Sequence, residues 1–115
     1  VARKNVLSYA MLLDADAAVS VTSPITNVLN LDKASIHLSW VGTAIDAIVV
    51  VQVRNSAKDE WYNLDFGSTI EISGNSGDHQ LIFNEMPFVD MRLYYEAYSG
   101  TGTFDAILTA KQVGG

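Results

Sequence analysis

From Ala34 onward, apolar and polar residues alternate in short runs. Ala34, Ile36, Leu38 and Trp40 alternate with Ser35, His37 and Ser39, the period-2 pattern of a strand with one buried face. Ile48 to Val53 is apolar on both parities apart from Gln52, which predicts a central strand covered on both sides. Trp61 to Phe66, the pair Ile70 and Ile72, and His79 to Phe83 predict three further strands. In the longest run, Val89, Met91, Leu93, Tyr95 and Ala97 face one way, and Asp90, Arg92, Tyr94, Glu96 and Tyr98 the other. Phe104, Ala106, Leu108 and Ala110 align in a last run, Thr103 to Val113.

Between these runs stand Gly42-Thr43, Asn55 to Glu60, Gly67-Ser68, Gly74 to Asp78 and Ser99 to Gly102. Their composition predicts turns, the last a tight hairpin turn. Pro87 marks a corner, because proline cannot donate to a central ladder. Six or seven strands without helical periodicity predict an all-β fold, an antiparallel β-sandwich or jelly roll. The N-terminal region reads differently. Val6 to Leu13 is a strand or a short helix, Asp14 to Ala18 a polar turn, and Val19 to Leu31 one or two edge strands interrupted by Pro24. The expected division is an N-terminal arm, 1–13, and a sandwich domain, 14–115. Val6, Leu7, Tyr9, Met11, Leu12 and Leu13 would make an unfavourable exposed patch on such an arm, which its own sheet or a neighbouring subunit could cover; docking on the neighbour is the favoured expectation.

At 115 residues the chain is one domain. Only 17% of it is charged, against about 25% in a typical globular domain, which suits a surface packed against neighbours. The net charge is −6 and the seven basic residues are scattered, so the clustered cations that nucleic acid or an anionic membrane requires are missing. No run approaches the roughly 20 apolar residues of a membrane span, and no signal-peptide pattern follows Arg3 and Lys4. Val1 to Lys4 reads as a natural start, with truncation the alternative. The chain is therefore expected to fold in a host cytoplasm. With no cysteine, stability must come from packing and often from oligomerisation, and a homotrimer is the expected state.

The run Ile36 to Trp40, the Val-rich strand Val49 to Val53, the polar turn Asn55 to Asp59 and Trp61 to Leu64 form a recurring pattern. Pro87 to Leu93 and Ser99 to Thr103 complete it. It resembles the small β-sandwich proteins of tailed-phage virions, of head-decoration or tail-appendage type, over roughly residues 30–113. That resemblance implies an oligomeric, non-enzymatic structural protein located in the virion, with other virion proteins as partners. The strand, polar turn and Trp are also similar to discoidin-like and fibronectin-type sandwiches, which bind carbohydrate or protein through end loops. Asn55 to Glu60 lacks the Asp-Gly pair of the discoidin-like turn.

Candidate chemistry is sparse. His37 and His79 have no Gly-x-Ser-x-Gly elbow to serve and read as surface histidines. Asp14 and Asp16, and the group Asp59, Glu60 and Asp65, offer carboxylates without the ligand spacing of a calcium loop. No catalytic residue, metal site or cofactor is expected. What remains is interface chemistry. Arg92, Tyr94 and Tyr98 share a polar strand face, and Trp61 follows a polar turn. Exposed aromatics with arginine anchor protein interfaces and can stack on surface glycans. Because the carboxylates lack a ligand set, EDTA is expected to leave the melting temperature unchanged. A fall of several degrees, reversed by calcium, would show that Asp14, Asp16, Asp59 and Asp65 form a metal site.

Overall fold

The computed structural model describes residues 6–56, 58 and 60–112. Seven strands are arranged antiparallel: β1 (Val6–Asp16), β2 (Val21–Thr22), β3 (Thr26–Asn27), β4 (Leu31–Arg54), β5 (Tyr62–Asn63), β6 (Ile70–Phe83) and β7 (Asp90–Gln112). β7 lies beside β4 along most of its length and also pairs with β1, β2 and β3; β4 pairs on its other side with β5 and β6. The chain thus runs as four long passages, 6–27, 31–54, 62–83 and 90–112, whose lateral order is first, fourth, second, third. This is the lateral order of a jelly roll, with the fourth passage lying between the first and the second.

Each long passage bends where the others bend. β4 loses register with β6 between Val41 and Ile45, and with β7 between Thr43 and Asp46. Positive φ angles cluster at the same level: Asp14 (51°), Ala44 (49°), Gly74 (95°), Gly100 (91°) and Gly102 (145°). On one side of this line, β1, the end of β7, the start of β4 and the end of β6 form a layer. On the other, β2 and β3, the start of β7, the end of β4, β5 and the start of β6 form the second. Tyr95 and Phe104, from opposite halves of β7, stack with ring centroids 4.6 Å apart, and the Tyr95 hydroxyl donates to the Ala17 carbonyl at 2.8 Å.

The bend shifts the phase of burial. From Ala34 on, the core residues of β4 are Ala34, Ile36, Leu38 and Trp40 before it, and Ile45, Ala47, Val49, Val51 and Val53 after it. β7 changes phase in the same way, from Met91, Leu93 and Tyr95 to Phe104, Ala106, Leu108 and Ala110. An extra residue bulged into a strand has this effect, because side chains alternate faces with period 2. Gly42-Thr43, Gly74 to Asp78 and Ser99 to Gly102 are therefore not the chain reversals expected from their composition. They are bends inside continuous strands, where the freed amides find side-chain acceptors. The Asp14 N–H donates to Asp105 Oδ1 at 2.6 Å and the Ala44 N–H to Asn75 Oδ1 at 2.9 Å.

Two further expectations are corrected. The segment expected as a separate arm is, from Val6 on, strand β1, which crosses the 13/14 boundary and pairs with β7 from Val6–Lys111 to Asp16–Thr103. Its alternate residues meet the inward row Ala110, Leu108, Ala106 and Phe104, so the core takes it up. Residues 1–5 lie outside the described part. In Ile48–Val53, only Val49, Val51 and Val53 are buried, while Ile48 and Val50 are half-buried, so the outer face is covered in part.

At the bend, β4 and β7 touch backbone to backbone. A Cβ on Gly42 would meet the Thr101 carbonyl oxygen and lie 2.7 Å from the Gly102 Cα, whereas one on Gly67 (φ +84°) would meet nothing within 4 Å. Gly42→Ala is therefore expected to cost more than about 3 kcal/mol, because backbone cannot step aside. Gly67→Ala should cost only the ~1 kcal/mol of a left-handed residue. Urea melts of the two variants check this, and equal losses would show that the bend has slack.

Candidate functional site

The outer face of the second layer carries the densest polar constellation. Beyond the bend, the even-numbered residues of β4 point away from the core, and pairing sets Gln52 opposite Arg92 and Arg54 opposite Asp90. Arg54 Nε donates to Asp90 Oδ2 at 2.8 Å, with the two side chains 15% and 8% exposed. Asn27 Nδ2 reaches the other Asp90 oxygen at 3.4 Å. Arg92 Nε donates to Gln52 Oε1 at 2.7 Å, and Gln52 Nε2 donates to Asn63 Oδ1 at 3.0 Å. Both guanidinium groups rest against Trp61, at 4.5 Å for Arg54 and 4.2 Å for Arg92 from the ring centroid. Cations over an indole gain about 0.5–2 kcal/mol each, so this contact ties the segment after β4 back onto the sheet.

Of the expected binding residues, the structure thus brings Trp61 and Arg92 together. Tyr94, two positions along β7, is half-buried. Tyr98 is 57% exposed, and its hydroxyl donates to Glu96 Oε2 at 3.1 Å. That hydrogen bond, followed by slight burial and the nearby carboxylates, holds the Tyr98 pKa above its ordinary value. Arg54, Gln52 and Asp90 were not among the expected residues. The signal that could have found them is the pair of i, i+2 polar positions in each strand, Gln52/Arg54 and Asp90/Arg92. Their charges become complementary only when β4 and β7 are laid antiparallel.

The β1 candidates divide. Val6, Tyr9 and Leu13 are exposed, Leu13 by 65%, and Leu7 is half-buried. Met11 and Leu12 belong to the core, which corrects their placing at an interface. The carboxylates have local work. Asp16 Oδ1 accepts from the Ala18 N–H at 2.9 Å, and Asp65 Oδ1 from the Gly67 N–H at 2.7 Å. Asp59 lies outside the described residues. Among the described residues, no three of His, Asp, Glu or Cys converge as a metal site would require. His37 Nε2 lies 3.5 Å from Asp78 Oδ2 on the outer face of the first layer, and His79 is exposed on β6. An open groove of about 450 Å3 lies between the 48–51 part of β4 and the 63–70 segment, with Ile48, Val50, Leu64 and Phe66 along it.

No family model matches the chain, and no curated protein does. Solved structures do. The prophage-derived protein YomS of SPBc2 superposes with a TM-score of 0.66 at 13% identity, covering 97% of each chain. The infectious bursal disease virus Gx strain structure gives 0.61 at 12% identity, over 99% of this chain and 33% of that one. The VP2 subviral particle of the same virus gives 0.58 at 14% identity, over 98% and 33%. The chain thus spans a third of the length of the bursal virus chains and nearly all of YomS. At these identities the likeness shows the fold: an antiparallel β-sandwich shared with a prophage protein and with proteins of virus particles.

Removing one partner of a largely buried ion pair leaves the other charge unpaired, at about 3 kcal/mol or more. Asp90→Asn is expected to lower unfolding stability by about that amount and to shift Trp61 fluorescence as Arg54 loses its anchor. A change under about 1 kcal/mol in a urea melt would mean that the pair behaves as an exposed one.

Proposed function

We propose that this domain is a non-enzymatic structural protein of a bacteriophage virion, which assembles with copies of itself and with other virion proteins to decorate or stabilise a capsid or tail. The observation that carries this reading is the match to a prophage-derived chain over 97% of both lengths. The likeness to chains of bursal virus particles supports it, as does a surface with few charges and several exposed apolar residues, among them Leu13, Val41 and Ile82. A homotrimer is the proposed unit.

The alternative is a carbohydrate- or protein-binding, adhesin-like module. Its support is the exposed Tyr98. Trp61, the other stacking candidate, already has two guanidinium groups against its ring, which weakens a sugar-stacking role. The test is to purify particles made by the genome that encodes this chain and probe them with an antibody against it. The structural reading expects many copies per particle, retained through density-gradient purification. Absence from purified particles, with the chain recovered free in the lysate, would overturn it.

A further inference from the structure

We propose that the Val6–Ala10 part of β1 is an assembly edge that pairs, antiparallel and across a twofold axis, with the same segment of a second copy. This rests on the self-assembly reading above and names its contact. A free strand edge presents unpaired N–H and C=O groups, and proteins usually protect such edges with charges, proline, bulges or shortness. Here the other edges are protected in these ways. β2 and β3 are two residues each and flank Pro24. β6 carries Glu71 and Asp78 and is interrupted by Gly74 and Gly77.

β1 is different. It pairs only with β7 among the described residues, and from Val6 to Leu13 it has no charged side chain and no proline. Register with β7 is unbroken from Val6–Lys111 to Ala10–Ile107, and only beyond Ala10 do two bulges disturb it. Five flat, uncharged residues therefore face outward, and alternate backbone groups among them point away from β7.

The occupant that fits is another copy of this edge. In a chain of net charge −6, pairing that brought β6 edges together would oppose carboxylates, and like charges opposite one another destabilise a strand pair. Pairing β1 with β1 opposes none. Centred on Ser8, it sets Val6 against Ala10 and Leu7 against Tyr9 of the second copy, covering apolar surface that is exposed or half-buried in one copy. A twofold contact is isologous. It makes a dimer by itself, or a hexamer if it joins two trimers.

The absence of cysteine makes a clean test. Ser8→Cys treated with a short bifunctional maleimide should give a covalent dimer on a denaturing gel, and Ser76→Cys, on the β6 edge, should not. Ala10→Lys should halve the mass seen by light scattering while the far-UV β signature persists. Ser8→Cys that fails to cross-link, equal cross-linking through Ser76→Cys, or an unchanged mass for folded Ala10→Lys would each overturn the edge pairing. A wild-type trimer with none of these responses would remove this contact and leave the assembly reading standing, which the particle experiment decides separately.

Discussion

The contact on which the rest of this structure depends is the one between two stretches of backbone, Gly42 against Thr101 and Gly102. Two strands of 24 and 23 residues cannot stay flat, because sheet twist accumulates along their length. Here the strain is released at one level, where β4 and β7 give up register together and side chains of Asp105 and Asn75 take the amides that the ladder drops. The fold line turns one ribbon of strands into two facing layers. Everything buried, from Tyr95 stacked on Phe104 to the Val49–Val53 row, is buried because the sheet closes on itself there.

The strands were readable because their alternation is strong. Ile36 to Trp40, Met91 to Tyr95 and Phe104 to Ala110 each carry an unambiguous period of two, and all are core. The bends were misread for a physical reason. A glycine-rich break in the alternation can be a reversal or a bulge, and both produce the same local composition. What separates them is which strand the residues on either side pair with. That partner lies some 60 positions away for β4 and β7 at the fold line (Thr43 with Thr101). The phase shift from Trp40 to Ile45 was visible as a change from even to odd. It gained meaning only once β7 was known to shift at the same level. The N-terminal segment was misread in a related way, because the strands from Ala34 onward look complete without β1, although the inner face of β7 needs it.

The polar cluster shows the same limit at the level of side chains. Trp61 and Arg92 were recognisable as residue types that make contacts, while Arg54 and Asp90 looked like ordinary strand-end charges. Their pairing is a product of register, and register is non-local. Within the cluster each arginine Nε has an acceptor, and the indole ring has both guanidinium groups against it. It therefore reads as a tie that fixes the segment after β4.

The lateral order of the strands also governs when this domain can exist during its own synthesis. β7 is the last described strand, yet among the described residues β1, β2 and β3 form ladders only with it, and β4 has it as a neighbour along most of its length. On the ribosome, a chain that has emerged only as far as β6 holds at most the β4–β6 and β4–β5 pairs, with Leu12, Ile36 and Val51 still lacking their opposite rows. Closure waits for residues near 112, and non-local pairing of this kind is slow and leaves apolar strands open in the meantime. Until then β1 has no ladder partner among the described residues, and its inward side chains stay open to solvent.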